Sequence, residues 1–316
     1  MNEAGDEHLW DRIVVTGGAG FVGANLAMTL QERQPDARIT VMDDFRSGAF
    51  ANLREFGGDV MAFDLSDLDI EAVLAENAPT LVFHLASISD TRVDDDRKMI
   101  HDNVESFRRL LRFCTAREIP LVYASSAATY GIADGRMAEN APAQPANVYG
   151  FSKMILDNLA GETMIASSDL HIVGLRYFNV YGPGEAHKGA MASMVYQLAQ
   201  QMLAGKRPRV FKHGEQKRDF VYVKDVVEAT ILAATAEESG VYNVGSGQAR
   251  SFNDLIAVLN EALGTSLEPE YFDCPYPFFQ PFTEADLGAA REGLGYEPKY
   301  SLEQGVKEYV GLLQKG

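Results

Sequence analysis

A glycine-rich segment near the amino terminus constrains the fold of this chain more than any other feature. The segment VVTGGAGFVG follows a short β-branched run and precedes a stretch of helical period. Gly17, Gly20 and Gly23 fit the spacing T-G-x-x-G-x-x-G, and Gly18, Gly20 and Gly23 equally fit G-x-G-x-x-G. Side chains there would block a tight turn, the approach of a pyrophosphate, and the packing of helix against strand. The N–H groups at the helix start also favour phosphate. The segment therefore predicts a dinucleotide site.

Short β-branched runs continue to alternate with helical stretches along the chain, which is typical of parallel strands joined by crossover helices. Strands are expected at 12–16, 39–44, 59–65, 80–86, 121–126 and 171–178, and helices at about 21–34, 68–77, 97–118 and 147–168. The pattern predicts an α/β fold: a Rossmann-type doubly wound parallel sheet with a smaller C-terminal α/β substrate domain. The expected limits are 1–178, with returns near 219–246 and 281–288, for the first domain, and 179–218 with 247–316 for the second.

Charge and composition limit the kinds of molecule that this chain is expected to bind. A net charge of −17 argues against nucleic acid and anionic membranes, which need a broad basic face. No apolar run reaches the ~20 residues of a membrane span. The acidic segment MNEAGDEHLW lacks the basic and apolar regions of a signal peptide. Cys114 and Cys274 stand in no metal-ligand spacing. We expect a cytoplasmic protein with reduced thiols and no metal.

Acidic residues at the end of the second predicted strand bear on the cofactor. Asp43 and Asp44 lie about twenty residues after the last glycine, where a carboxylate accepts hydrogen bonds from the adenosine ribose, which favours NAD. Arg46 is close enough to pair with a 2′-phosphate, so NADP stays open as the alternative. One NAD or NADP per subunit is expected. The predicted cofactor contacts are Gly17, Gly20, Phe21, Val22, Gly23, Asp43, Asp44, Arg46, Asp64, Leu65, Leu85, Ala86, Ser87, Asn103, Tyr149, Lys153 and Val180.

The segment NVYGFSK places Tyr149 and Lys153 four positions apart, on one face of a helix. An ammonium close to a phenol lowers the phenol pKa from about 10 towards neutrality, so Tyr149 is expected to act as a general base near pH 7. Lys153 would also hold the nicotinamide ribose. Ser126, at the end of the strand LVYASS, could hydrogen-bond the same substrate oxygen.

Five segments of the chain resemble the motifs of the extended short-chain dehydrogenases/reductases, and the resemblance covers nearly all of it. They are TGGAGFVG, YASSAATYG, NVYGFSK, LRYFNVYGP and RDFVYVKDV. Dehydratases of this class carry an Asp-Glu pair directly after the class serine, and related decarboxylases carry a glutamate. Here Ala127 and Ala128 occupy those positions. The resemblance therefore implies epimerisation or simple reduction.

A narrower resemblance is to the ADP-glyceromanno-heptose 6-epimerases, which act in the synthesis of lipopolysaccharide inner-core precursors. YASSAATYG, FNVYGPGEAHKGAMASMV, KRDFVYVKDV and FTEADL carry it, and HKG is the most diagnostic element. It implies inversion at C6 of an ADP-sugar through a 6-ketone, with Lys188 as a second base beside Tyr149, Ser126 and Lys153. The implied substrate contacts are Ser126, Asn179, Lys188, Ser193, Phe211, Lys212, His213, Gly214, Arg218 and Phe279. Residues 211–214 are expected to form a strand.

Three departures from that family lie on the substrate side. The family tends to have serine at Ala190, histidine at Gln197 and tyrosine at Phe279. A UDP-hexose 4-epimerase, which would not need Lys188, stays open as an alternative, as do a reductase and a non-catalytic NAD(P)-binding protein. Helices 97–118 and 147–168 pair subunits in this class, so a homo-oligomer is expected, and the resemblance implies a homopentamer.

Overall fold

A parallel sheet of seven strands forms the centre of the structure, a computed structural model that describes residues 10–67, 69–89, 95–132, 135–274 and 280–315. The strands of these ranges are β1 (Arg12–Thr16), β2 (Arg38–Asp43), β3 (Asp59–Ala62), β4 (Leu81–His84), β5 (Leu121–Ser126), β6 (Ile172–Tyr177), β7 (Asn179–Tyr181), β8 (Arg209–Phe211), β9 (Lys217–Tyr222), β10 (Gly240–Val244), β11 (Ala249–Ser251) and β12 (Glu270–Phe272). The helices are α1 (Phe21–Arg33), α2 (Ile70–Asn77), α3 (Asp96–Arg117), α4 (Val148–Ala166), α5 (Met194–Leu203), α6 (Val223–Ala234), α7 (Phe252–Leu263), α8 (Gly288–Leu294) and α9 (Leu302–Leu313).

The strand order confirms the predicted Rossmann-type sheet. It runs β10-β6-β5-β4-β1-β2-β3, and the paired strands are all parallel. From β1 the chain adds β2 and β3 on one side, and it then crosses to add β4, β5 and β6 on the other side. The order of the strands therefore reverses between β1 and β4, where Val15 lies opposite Phe83. Open sheets of this kind bind ligands outside the carboxyl ends of the strands at such a switch point.

Helices cover both faces of the sheet, which explains why the central strands are apolar throughout instead of alternating. Ile13 and Val15 of β1 pack in the same core cluster as Leu30 of α1. Val14, between them, points to the other face and shares a cluster with Phe107 of α3 and Leu156 of α4. Within the described ranges, no helix is both long enough and apolar enough to cross a membrane.

The C-terminal part builds two smaller sheets. β9 pairs with β7 and β11, whereas α6 and β10 return to the large sheet. The strand expected at 211–214 is wrong beyond Phe211: β8 ends there and a 3₁₀ turn, Lys212–Gly214, follows. His213 and Gly214 have φ values of 56° and 69°, which a strand does not accommodate. β3 and β4 also end earlier than expected, at Ala62 and His84.

Candidate active site

A cavity of about 1050 Å³ follows the carboxyl edge of the large sheet. Its volume lies just above the range of about 300–1,000 Å³ for small-molecule sites, which suits two ligands placed end to end. The cavity is lined by the segments that follow β1, β2, β3, β4 and β5, by residues of α3 and α4, by residues between 177 and 220, and by Phe252 of α7 and Phe272 of β12. Every residue predicted to contact the cofactor lines this cavity.

The glycine loop between β1 and α1 has the shape that a pyrophosphate needs. Gly17 has φ +67°, and a Cβ there would lie 2.5 Å from the backbone nitrogen of Ala86. A Cβ on Gly23 would lie 2.2 Å from the Gly17 oxygen. On Gly20, which caps α1, a Cβ would meet only that oxygen within 4 Å, at 3.1 Å, so this side is open to the cavity. The loop therefore fits a dinucleotide.

Asp43 holds the loop in place from the end of β2. Its carboxylate accepts hydrogen bonds from the backbone N–H groups of Ala19 at 2.9 Å and Phe45 at 2.8 Å. Burial raises the pKa of Asp43, and these hydrogen bonds counteract that rise. Asp43 thus joins the glycine loop to the segment that follows β2.

Arg46, which the sequence offered as a 2′-phosphate partner, forms ion pairs with three carboxylates. Its guanidinium lies 3.0 Å from Asp44, 2.7 Å from Asp64 and 2.7 Å from Asp102. All four side chains line the cavity. Asp102 was missed by sequence reasoning because it lies on α3, far from the motif in the chain.

Asn103, which the sequence predicts as a cofactor contact, holds the segment after β4 in place through Ile88. Its side chain accepts from the Ile88 nitrogen at 2.8 Å and donates to the Ile88 oxygen at 3.1 Å and the Ser152 hydroxyl at 3.1 Å. This arrangement ties α3, α4 and residues 85–88 together. Leu85, Ala86 and Ser87 consequently form a defined wall of the cavity.

Tyr149 and Ser126 meet where α4 begins. Asn147 caps the helix by accepting from the Gly150 nitrogen at 2.8 Å. Gly150 packs so closely on the 3₁₀ turn after β5 that an added Cβ would lie 2.4 Å from the Ala128 oxygen. This contact brings the Tyr149 phenol into a hydrogen bond with the Ser126 hydroxyl. A phenol and a hydroxyl are thereby placed together in the cavity wall.

The expectation that Lys153 lowers the pKa of Tyr149 is wrong for this structure. Burial raises the pKa of the phenol, and the hydrogen bond from Ser126 only partly opposes the rise. The Lys153 nitrogen lies 5.9 Å from the centroid of the Tyr149 ring and donates instead to the Ala124 oxygen at 2.8 Å. Lys153 is only 1% exposed, and burial lowers its pKa to about 8 against the opposing charge of Asp157.

Asp157 belongs to a buried polar network that the sequence did not reveal. It accepts from Arg176 of β6 at 2.9 Å and from the Tyr123 hydroxyl of β5 at 3.0 Å. Arg176 also donates to the Tyr130 hydroxyl at 2.9 Å, which donates in turn to Asn243 of β10 at 2.7 Å. The network holds the Asp157 carboxylate one helical turn beyond Lys153 and connects it to β5, β6 and β10.

Lys188 lines the cavity from the 3₁₀ segment Ala186–Met191. Its nitrogen lies 5.6 Å from the ring centroid of Phe21, at the start of α1. Burial lowers its pKa, and Glu185 opposes the change. Glu185 is itself buried and accepts from Gly182 N at 3.1 Å and from the Ser193 hydroxyl at 2.8 Å. Lys188 therefore stands on a segment anchored at both ends.

The far end of the cavity carries a half-buried cation, Arg218. The pKa of Arg218 is lowered to about 10 by burial, and its guanidinium lies 5.9 Å from the Phe252 ring centroid. Asn179 accepts from Thr283 at 3.1 Å. The predicted substrate contacts that line the cavity are Ser126, Asn179, Lys188, Ser193, Phe211 and Arg218.

Not every predicted substrate contact is placed at the cavity. The His213 ring packs against Tyr271 at 5.6 Å between centroids, and neither His213 nor Gly214 is among the described residues that line the cavity. Phe279 and the side chain of Lys212 lie outside the described part of the chain. Gln197 lines the cavity, whereas Ala190 is exposed on the Lys188 segment.

Gln216 is a cavity residue that sequence reasoning missed. Only 5% of its surface is exposed, and its Oε1 atom finds no hydrogen-bond partner among the described residues. An unsatisfied buried acceptor is costly, so this amide indicates where a ligand donor would bind. Only its neighbour Arg218 could have drawn attention to it in the sequence.

Known proteins share this fold. The model of the NAD-dependent epimerase/dehydratase family matches residues 13–245. The ADP-L-glycero-D-manno-heptose-6-epimerase of Helicobacter pylori is similar, with 40% sequence identity over 98% of each chain and a TM-score of 0.91. The UDP-glucose 4-epimerase of Thermotoga maritima is 29% identical over 96% of this chain and 98% of that chain, with a TM-score of 0.88. The UDP-N-acetylglucosamine 4-epimerase of Methanobrevibacter ruminantium is 27% identical over the same shares, with a TM-score of 0.89. The chain thus belongs to the NAD-dependent epimerase/dehydratase family and is a nicotinamide-dependent epimerase.

Proposed function

We propose that the enzyme inverts C6 of ADP-glycero-manno-heptose through a transient 6-ketone of the sugar. Tyr149 and Lys188 carry the proposal, because these two groups able to exchange protons line the same cavity and reach it from different elements, α4 and the 3₁₀ segment Ala186–Met191. A sugar ketone that turns about its exocyclic bond presents its oxygen on a different side before and after the turn. A second proton-transfer group in the same cavity suits that geometry.

The comparison with solved structures supports the heptose over a hexose. Identity is 40% to the Helicobacter pylori heptose epimerase and 29% to the Thermotoga maritima glucose epimerase. Lys188 adds a chemical reason, because a 4-epimerase would use Tyr149 without needing a second base. The missing acids at Ala127 and Ala128 speak against water elimination.

The nicotinamide cofactor supplies reversible acceptance of a hydride when it is bound. Gly20 and the start of α1 would hold its pyrophosphate, Asp43 and Asp44 would lie at the adenosine ribose, and Lys153 would hold the nicotinamide ribose. Asn103 positions the adjoining wall through Ile88. These groups would set the orientation of the reacting ring against the sugar.

In the proposed proton transfers, Tyr149 takes or returns the hydroxyl proton on one side and Lys188 does so on the other. Ser126 hydrogen-bonds the phenol and would share the sugar oxygen with it. Burial raises the pKa of Tyr149 and lowers that of Lys188. The two shifts bias Tyr149 towards the protonated donor and bring Lys188 closer to the neutral acceptor.

The diphosphate and the base of the substrate would occupy the far end of the cavity. Arg218 offers a forked set of donors that matches phosphate oxygens, and its burial strengthens the attraction. The unsatisfied Gln216 oxygen would accept a hydrogen bond from the exocyclic amine of adenine. Asn179, which precedes Lys188 in the chain, and Ser193, which follows it, line the same cavity.

We also propose a homo-oligomer that pairs through α3 and α4. Phe151 and Ile165 of α4 are 42% and 88% exposed, which leaves apolar surface on that helix for a neighbouring subunit. The resemblance to the family implies five subunits. The proposed place of action is the cytoplasm, where nucleotide sugars and a reduced thiol such as the buried Cys114 would both persist.

The experiment is incubation of the purified enzyme with a panel of ADP-heptoses, UDP-glucose and UDP-galactose, followed by NMR of the products. We expect the two C6 epimers of ADP-heptose to interconvert without net consumption of cofactor. Interconversion of the UDP-hexoses alone would favour the 4-epimerase. Stoichiometric consumption of reduced cofactor would identify a reductase, and no change in any sugar would favour a cofactor-binding protein.

A further inference from the structure

We propose that Asn52 is a positioning residue for Lys188: its side chain ties segment 183–187, directly before the lysine, to the glycine loop, so a dinucleotide held by that loop also fixes the lysine. Asn52 belongs to the 3₁₀ turn Phe50–Leu53, between β2 and β3. It is not among the described residues that line the cavity, so it acts through the groups that it contacts. The inference rests on the proposed function only for what Lys188 does there.

The amide nitrogen of Asn52 lies within hydrogen-bond distance of three groups. It donates to the Ala19 oxygen of the glycine loop at 3.1 Å and to the Gly184 oxygen at 3.2 Å, and it lies 3.1 Å from Nδ1 of His187. The two carbonyl oxygens fix the orientation of the amide, because its own oxygen could not face them. One side chain thus joins the glycine loop to the residues directly before Lys188.

A second asparagine makes the same connection from α1. The Asn25 amide nitrogen donates to the oxygens of Phe21 and Pro183, both at 2.9 Å. Gly184, at φ +94°, passes so close that an added Cβ would lie 3.1 Å from this nitrogen. The Lys188 nitrogen lies 5.6 Å from the Phe21 ring centroid, so the lysine itself also rests on the start of α1. Two amides and a ring therefore hold this segment against the dinucleotide-binding part of the chain.

Ala19 is the residue through which a bound dinucleotide would act on Asn52. Ala19 is fully buried, and its nitrogen donates to Asp43 at 2.9 Å. Its oxygen accepts from the Ala49 nitrogen at 3.0 Å as well as from Asn52. The next residue, Gly20, lines the cavity where the pyrophosphate would bind. Because a ligand stabilises every contact of the conformation it binds, binding at the loop favours the arrangement in which Asn52 holds the segment.

The same segment is also held by the C-terminal part of the chain. Glu185 is fully buried and accepts from the Gly182 nitrogen and the Ser193 hydroxyl. The hydroxyl of Tyr309 in α9 also hydrogen-bonds Glu185. Lys188 therefore follows a segment that is anchored both to α9 and, through the two asparagines, to the glycine loop. Its position in the cavity depends on both anchors, and a bound cofactor would act on the asparagine side.

The test is hydrogen–deuterium exchange, read by mass spectrometry on a peptide that covers residues 183–191, with and without saturating NAD. In the unchanged protein we expect NAD to slow exchange there by at least about fivefold, the lower end of coupling between two sites. A role in folding alone would alter the exchange equally with and without NAD. Absence of NAD-dependent slowing in the unchanged protein would overturn the inference.

Two substitutions of Asn52 and one of Asn25 break the connection. Asn52→Ala removes the amide, and Asn52→Leu removes it while keeping a side chain of similar size. Asn25→Ala cuts the tie to Pro183 and leaves the Asn52 contact with Ala19 in place. In each variant calorimetry should show that NAD still binds, while the slowing at 183–191 should fall below about twofold.

Asn260→Ala is the matched control. Asn260, in the last turn of α7, also joins two segments of the chain, because its amide donates to the Leu267 oxygen at 3.1 Å. NAD should slow exchange in this variant as much as in the unchanged protein. If NAD slows exchange at 183–191 equally in the control and in the Asn52 and Asn25 variants, the cofactor orders the segment directly and Asn52 does not position Lys188. The measurement involves no sugar, so a different substrate would leave its outcome unchanged.

Discussion

The Lys153 ammonium donates a hydrogen bond to the Ala124 oxygen at 2.8 Å and is thereby fixed between α4 and β5. The four-residue spacing to Tyr149 places the nitrogen over the phenol ring, 5.9 Å from its centroid, yet burial of the phenol raises its pKa. Lys153 is nearly inaccessible, and its counter-charge is Asp157, one turn further along the helix. The charge of Lys153 therefore depends on pH near pH 8 and on the carboxylate of Asp157.

The first prediction concerns pH. Burial lowers the pKa of Lys153 to about 8, and the charge of Asp157 limits the fall. An activity that needs the ammonium is present below that pKa and is lost as the pH rises through it. Asp157→Asn lowers the pKa further, so the alkaline limb of the kcat/KM profile should move to lower pH.

Asp169→Asn is the control for that profile, because Asp169 is an exposed carboxylate just after α4. An unshifted alkaline limb in Asp157→Asn, with the protein still folded by circular dichroism, would show that Lys153 does not govern it. A shift that also occurs in the control would point to general electrostatics instead.

The second prediction concerns Tyr149. Tyr149→Phe removes the hydroxyl that hydrogen-bonds Ser126 but keeps the ring, so the fold and the glycine loop should be unaffected. Loss of a positioned proton-transfer group should lower kcat by about 10²–10⁴-fold. Cofactor affinity, measured by calorimetry, should stay within about threefold, well below the tenfold that 1.4 kcal/mol represents. Retained turnover would remove Tyr149 from the chemistry.

The third prediction separates the two epimerase hypotheses. Lys188→Ala should lower turnover of the ADP-heptose by about 10²–10⁴-fold if the lysine transfers a proton. Lys206→Ala, which removes an exposed lysine after α5, should leave the rate unchanged. If Lys188→Ala instead raises KM and leaves kcat intact, the lysine only binds the substrate.

The fourth prediction concerns the glycine loop. Gly17→Ala forces an L side chain into φ +67° and places its Cβ 2.5 Å from the Ala86 nitrogen. The backbone strain alone should cost about 1–2 kcal/mol of unfolding free energy, and cofactor affinity should fall as well. Gly161→Ala in α4 has no atom within 4 Å of the added Cβ and should stabilise the protein by about 0.5–1 kcal/mol. Thermal unfolding with and without NAD measures both effects.

Sequence alone located the cavity residues whose positions follow from spacing along the chain. The glycine loop, the acids that end β2 and the pair on α4 were all found in this way, since parallel strands bring their carboxyl ends to one edge. Contacts between distant elements were not accessible. Arg46 and Asp102 are separated by 56 positions, and no local pattern joins them.

How deeply a side chain is buried could not be read from the sequence either. The direction of the pKa change of Tyr149 depends on how much protein surrounds the phenol, and spacing alone gave the opposite sign. The end of β8 at Phe211 likewise depends on positive φ angles at His213 and Gly214. Of these two residues only Gly214 is of a type that readily adopts a positive φ, so the angle at His213 could not be predicted.

The most direct test of the central claim is epimerisation of ADP-heptose in D₂O, with the C6 position of the product read by proton NMR. A hydrogen that leaves C6 as hydride and returns from the same cofactor never exchanges with solvent, whereas the hydroxyl protons handled by Tyr149 and Lys188 do. We expect both epimers to form with C6 fully protiated and with the cofactor unchanged in amount. Deuterium at C6 would contradict it, because the proton would then have been removed from carbon itself.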